Sequence, residues 1–364
     1  MTIDLDAIAD NWRTLSALAA PAECAAVVKA DAYGLGIEPV APALWRAGAR
    51  TFFVAHFKEA VALRALLPDA VIYVLNGLLP DTAPDFAAAQ VRPVLGSVAE
   101  VSEWSDFCRD RSADIPAAIH VDTGMHRLGL SLEEAVQLSG TFRLLGFKPS
   151  LIMSHLACAD LPGHVLTARQ RLVFADVARR FPGVPASLAN SAGTLLGRDF
   201  RFDLVRPGIF LYGGVAIAGV PPLRPVVRLE VKVVQVSTAP AGETVGYGAA
   251  ERLKRPSRLA TVSIGYADGL FRAGGSSDAA KGVEAILAGK RCHLVGRVSM
   301  DLATLDITDL PEGSVQRGDT AVFLGDGISV DDLAVRSGTI GYEVLASLGT
   351  RYARRYVGGG SGGG

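Results

Sequence analysis

Short apolar runs, often β-branched, recur through the first two-thirds of the chain. They fall at 25–28, 51–55, 71–75, 91–95, 117–121, 151–154, 186–189 and 205–211. Each is about the length of one buried strand. Segments with helical spacing lie between them, such as 40–49, 58–67, 98–109 and 167–180. Parallel strands need crossover connections, usually helices. Eight strand–helix repeats therefore predict a (β/α)8 barrel. Pro93 is a blemish in its strand, because proline removes a ladder donor.

After residue 225 the rhythm changes. Along 226–236, Val227, Leu229, Val231 and Val233 point one way, and Arg228, Glu230 and Lys232 the other. That is the period of a strand with one wet face. The phase slips at 234–236, which predicts a bulge. Further strands are expected at 259–264, 285–287, 291–295, 303–307 and 320–324, with helices near 330–337 and 341–348. The pattern divides the chain into an α/β barrel over 1–225 and a mostly β domain over 226–357. Residues 358–364 are only glycine and serine and read as a flexible appended linker outside the fold.

Composition narrows the function. The 364 residues are 49% hydrophobic and 20% charged, with a net charge of -1. Nothing here draws the chain to nucleic acid or to an anionic membrane. No apolar run reaches the ~18 residues of a membrane helix. Asp4 and Asp6 near the start argue against a signal peptide. Cys24, Cys108, Cys158 and Cys292 lie far apart, with no CxxC spacing. They read as the reduced thiols of a cytoplasmic protein. There is no HExxH and no Walker loop, so neither a zinc site nor a nucleotide site is expected from motif.

Barrel enzymes build their sites where strands end and loops begin. Those positions hold Lys29, His56, the stretch 122–127 with Arg127, His155, Asn190, Ser191, Arg206, Gly208 and Ile209. Polar groups gather at that rim while the strand interiors are bland, the mark of an enzyme. Lys29 closes Ala25-Ala26-Val27-Val28-Lys29, and an ammonium there is poorly solvated and becomes a usable amine nucleophile. The loops after strands seven and eight often bind phosphate. Here they supply the Ser191 hydroxyl and the Gly208 N–H. Each residue also has a structural reading: Lys29 snorkelling, Tyr33 packing in its loop, Arg206 in an ion pair, His155 as a satisfied core group.

Several segments resemble the pyridoxal-phosphate-dependent alanine racemases. VVKADAYGLG around Lys29 is similar to the family's cofactor attachment segment, whose lysine carries the cofactor as a Schiff base. Val121–Gly129 resembles VDTGMxRLG, SHLA at 154–157 its SH(L/F)A, VRPG at 205–208 the arginine context, GYADG at 265–269 and GRVSMD at 296–301 its later motifs; VGYG at 245–248 matches a segment near the subunit interface. The resemblance spans nearly the whole chain. It implies two proton-transfer bases, Lys29 and Tyr266, on opposite faces of the substrate α-carbon. Tyr33, Ser191, Asn190, Gly208 and Ile209 would surround the cofactor. Arg206 would meet the pyridine nitrogen, His155 would support it, and Arg127 would reach the cofactor oxygen or the substrate carboxylate. Met300 and Asp301 would lie at that carboxylate. The implied assembly is a head-to-tail homodimer with shared sites, and the implied substrate is alanine. Serine or another amino acid remains an alternative substrate, and a non-catalytic pyridoxal phosphate carrier or a decarboxylase an alternative class.

Two positions depart from the family pattern. Many relatives have a carbamylated lysine before VDTGM that holds the arginine; here it is His120, which leaves Arg127 to be oriented by His120, an anion or another side chain. Some relatives place a phosphate-binding tyrosine where Leu348-Gly349-Thr350-Arg351 stands. Thr350 would offer only a hydroxyl.

Overall fold

The computed structural model describes residues 1–360 except 216, 218, 221 and 222. A seven-stranded parallel sheet runs in chain order from Ala26–Val27 through Thr51–Val54, Val71–Val74, Arg92–Leu95, Ala117–His120 and Pro149–Met153 to Ala186–Ser187. Leu204–Val205 closes it into a barrel by pairing in parallel with Glu23–Cys24. The bonds Ala25 N–H to Val205 O (2.9 Å) and Arg206 N–H to Ala189 O (2.9 Å) tie both of its sides. The strands are buried on both faces, as parallel strands under helices must be. Pro93 is accommodated within Arg92–Leu95, which pairs through Val94 and Leu95 with Ala118 and Ile119.

The helices follow their predicted spacing. Ile37–Ala47, Phe57–Leu66, Val98–Asp110 and Val165–Arg179 lie within a few residues of expectation. Asp4 caps Leu5–Ala19 through Ala7 N–H at 2.9 Å, and Ser97 caps Val98–Asp110. These caps satisfy donors that the first helical turn leaves open.

One predicted strand is mostly not a strand. Of 205–211 only Val205 falls in a strand, the short Leu204–Val205, and Ile209–Tyr212 is a 3-10 turn. Arg206, Pro207 and Gly208 break the strand, so its apolar continuation folds over the barrel end as buried Ile209, Phe210 and Leu211.

The second sheet has eight strands. Its spine is Val227–Ala239, with Val227, Leu229, Val231 and Val233 buried as the alternation demands. The spine pairs first with Thr320–Leu324, then with Ser257–Val262 after a register shift between Val233 and Gln235. That shift is the expected bulge. Thr2–Asp4, counted by sequence with the barrel, instead joins this sheet. It lies antiparallel to the spine and parallel to Arg355–Val357. The glycine-rich tail is partly docked, because Gly359 N–H donates to Asp6 Oδ1 at 2.8 Å. Residues 361–364 of that tail lie outside the described residues.

Candidate active site

A cavity of about 320 Å³ opens at the C-terminal mouth of the barrel. Val27, Phe53 and Leu75 give it apolar walls; Lys29, Tyr33, His155, Asn190, Ser191, Arg206, Gly208 and Tyr342 give it polar ones. Lys29 follows the first strand directly. Burial, then the Arg127 charge, lowers its ammonium pKa, and Glu59 partly opposes them. A larger fraction of free amine at neutral pH follows.

The backbone after Lys29 is unusual. Ala30, Asp31, Ala32 and Tyr33 all lie in the left-handed region, with φ between 53 and 57°. Four L-residues in succession cost roughly 1–2 kcal/mol each. Outside contacts must hold such a turn. Tyr33 stacks 4.7 Å from Tyr212, whose hydroxyl donates to Val27 O at 2.9 Å.

Gly208 faces that tyrosine. A Cβ on Gly208 would stand 2.1 Å from Tyr33 Oη. Only glycine lets the phenol and this backbone meet. Gly208 N–H donates to Ser191 Oγ at 2.8 Å. Ser191 accepts that bond and keeps its own proton to donate, so the Ser191 and Tyr33 hydroxyls together form a cradle for a small anion such as phosphate. Asn190 caps the short helix Ser191–Leu195 through Gly193 N–H. Ile209 is buried behind the cradle and does not line the cavity.

Arg206 is fully enclosed and forms no ion pair among the described residues. Its guanidinium donates to Ser187 Oγ and to Ser154 O (2.6 Å), stands 3.4 Å from His155 Nδ1 and lies 5.8 Å over the Phe53 ring. Burial pulls its pKa down to about 9, so it stays charged at neutral pH. Burial, followed by the Arg206 charge, holds His155 well below its ordinary pKa. His155 is therefore neutral. Its Nδ1 faces a donor-only group, so the ring proton belongs on Nε2.

A supporting network escaped the sequence reading. Gln170, fully buried on Val165–Arg179, donates to His155 O (2.8 Å) and Thr123 Oγ1 (3.3 Å) and accepts from Ala157 N–H (2.9 Å). Thr123 and Ser154 share a 2.7 Å hydrogen bond. The shelf under Arg206 and His155 is thereby locked. A lone glutamine in a helix gives no local signal of this.

Tyr342 was also missed. It lines the cavity 6.1 Å from the Tyr33 ring, on the helix Gly341–Ala346, whereas Thr350 is exposed and does not line it. Tyr342 thus offers, about two turns upstream of 348–351, a phenol at the cavity that Thr350 does not. Its place just after a buried glycine was the only available hint.

The remaining expected residues lie elsewhere. Arg127 is exposed and has no hydrogen bond or ion pair among the described residues. His120 is buried behind it and makes no bond to it. Burial, then the Arg206 charge, lowers the His120 pKa to about 4. Tyr266 and Met300 are 44% and 54% exposed on the β domain. They are neighbours there, since Ala267 N–H donates to Met300 O at 3.0 Å. Asp301 pairs with Arg351 at 2.7 Å. None of the three lines the cavity.

A barrel mouth with a partly buried lysine, clustered hydroxyls and an enclosed guanidinium has the chemistry to hold a phosphorylated carbonyl compound through an amine. Residues 3–216 match the family model "Alanine racemase, N-terminal domain" and residues 226–356 the model "Alanine racemase, C-terminal domain". An alanine racemase of Methylobacterium sp. (strain 4-46) is 54% identical, over 98% of this chain and 97% of its own. Another, from Methylobacterium nodulans, is 54% identical over 99% of this chain and 96% of its own. Among solved structures, alanine racemase from Bartonella henselae with covalently bound pyridoxal phosphate superposes with a TM-score of 0.92, at 42% identity and 98% coverage of both chains. The chain belongs to the alanine racemase family.

Proposed function

We propose that this protein interconverts L- and D-alanine using pyridoxal 5'-phosphate. The observation that carries the reading is the cavity joining Lys29 to Arg206 across the Ser191–Tyr33 cradle. The cofactor fits these residues: Gly208 has no Cβ to push the Tyr33 hydroxyl aside, so that hydroxyl stands with the Ser191 hydroxyl on one wall of the cavity, where a phosphate would need donors. Tyr33, Ser191 and Tyr342 hydroxyls would bind the phosphate, with the Gly208 N–H orienting Ser191 and Asn190 fixing the helix end beside it. When bound, the cofactor supplies an electron-withdrawing ring that acidifies the amino-acid α-hydrogen.

The chain's own groups decide the rest. Lys29 Nζ anchors the cofactor and then holds or delivers a proton on one face of the α-carbon. Tyr266 Oη, from a second copy of the chain, does so on the other face. Arg206 stays charged and only donates, so it keeps the pyridine nitrogen unprotonated and limits electron withdrawal. That favours proton return over side reactions. His155 packs beside it. Arg127 and the Met300 backbone N–H of the second copy receive the alanine carboxylate, with Asp301 beside them on its ion pair to Arg351. The exposure of Tyr266 and Met300 away from their own cavity supports a head-to-tail homodimer with shared sites.

The four free thiols suit a cytoplasmic enzyme, and no helix among the described residues is long and apolar enough to cross a membrane. Incubation with L-alanine in deuterated water tests the reading. D-alanine carrying deuterium at the α-carbon is expected. Bound cofactor with no α-exchange would overturn it in favour of a carrier.

A further inference from the structure

Lys29 can act only if its amine stands where the reaction needs it. The turn behind it is strained, so something must fix it. The turn's own bonds run from Ala32 N–H to Val28 O (2.9 Å), Leu35 N–H to Ala32 O (3.2 Å) and Gly36 N–H to Asp31 O (2.9 Å). Asp31 Oδ1 receives Ile37 N–H at 2.7 Å. None of these engages the Ala30 N–H, which belongs to the peptide that leaves Lys29.

That N–H donates to Glu59 Oε1 at 2.6 Å. The other oxygen, Oε2, accepts Ala55 N–H (2.8 Å) and His56 N–H (3.0 Å), in the loop after the next strand. Glu59 stands in the first turn of Phe57–Leu66, so the helix aims its side chain. One carboxylate thus staples two barrel loops and grips the peptide next to Lys29. Resting on Lys29 as the cofactor-bearing amine, we propose that Glu59 is a positioning residue for the racemisation: it holds the left-handed turn and thereby sets where the Lys29 amine stands.

Glu100 provides a matched comparison. In the first turn of Val98–Asp110 it accepts N–H groups from Gly96 and, at 3.1 Å, from Leu78. This is the same staple between neighbouring loops, but neither Leu78 nor Gly96 lines the cavity. A purely structural role would make the two glutamates equivalent.

The test uses cofactor-loaded Glu59→Gln, Glu59→Asp and Glu100→Gln proteins, with amide hydrogen exchange across 29–36, melting temperature, and kcat and KM for alanine. Gln turns a donor toward backbone N–H groups that need an acceptor. Asp can still cap its own helix but is too short to reach Ala30. Both Glu59 variants are expected to exchange the Ala30 amide about tenfold faster and to lose about tenfold in kcat with KM nearly unchanged. Glu59→Asp should do so without losing melting temperature. Glu100→Gln should lower the melting temperature alone. Wild-type exchange at 29–36 in the Glu59 variants, or Glu59→Gln and Glu100→Gln with the same kcat, would overturn the proposal. Failure of the cofactor reading shows separately, as wild-type protein in which borohydride fixes no adduct on Lys29.

Discussion

Around Lys29, Arg206 is 4% exposed and His155 is held neutral by burial. Around Tyr266, the tyrosine and Met300 are about half open, and Asp301 pairs with an equally open Arg351. The first region is finished within one chain: its charges are desolvated and its donors fixed by Ser154, Ser187 and Gln170. The second presents its side chains outward, where water screens their charges. The first region already has the enclosure a bound ligand needs, and the second would gain it only under a covering partner, which is the division the proposed dimer uses.

The strongest way to break that division is genetic mixing. Lys29→Ala and Tyr266→Phe should each lose racemase activity by at least ~10²–10⁴-fold. If the exposed patch completes another copy's cavity, an equal mixture that exchanges subunits regains about a quarter of wild-type activity, since half the dimers then carry one intact site. A mixture that exchanges and stays inactive would place both halves in one chain.

Gly208→Ala probes the finished region. Its new methyl collides with Tyr33 Oη, and overpacking of about 1–3 kcal/mol corresponds to roughly ten- to hundredfold weaker cofactor binding. Titrating cofactor into the variant measures it; unchanged affinity would mean the phosphate does not use this cradle.

His120 sharpens the electrostatic side. Its folded pKa, about 4, lies below its ordinary 6.5. The unfolded chain thus binds this proton first as pH falls. His120-linked stability is complete above 6.5 and is lost on the way down to 4, by ~3 kcal/mol. Urea unfolding of His120→Asn should show a flatter pH dependence over that window. The same slope as wild type would show that this histidine is not desolvated.

Asp301→Asn should do least to the fold. The pair it breaks is open to solvent and adds little stability. The melting temperature should hardly move, while the KM for alanine falls if the carboxylate site lies there, because a negative charge leaves it and Arg351 is freed.

The sequence made the barrel legible because each strand and helix writes its own period. It misled at 205–211, where an apolar run read as a strand but Pro207 and Gly208 turned it into a buried 3-10 lid. It was silent on Thr2–Asp4, because pairing with residues two hundred or more positions away leaves no local trace. Rim residues were readable as polar groups after apolar runs. Tyr342, Gln170 and Glu59 were not, since each reaches the cavity or its supports from a helix whose local pattern is ordinary.

Thr2–Asp4 is flanked by the spine strand and by Arg355–Val357, which has a consequence for the order of assembly. Both of its neighbours lie more than two hundred residues away in sequence, so this strand needs a long loop closure before it can pair. It should therefore dock after the spine has formed and be among the first parts of the second sheet to open.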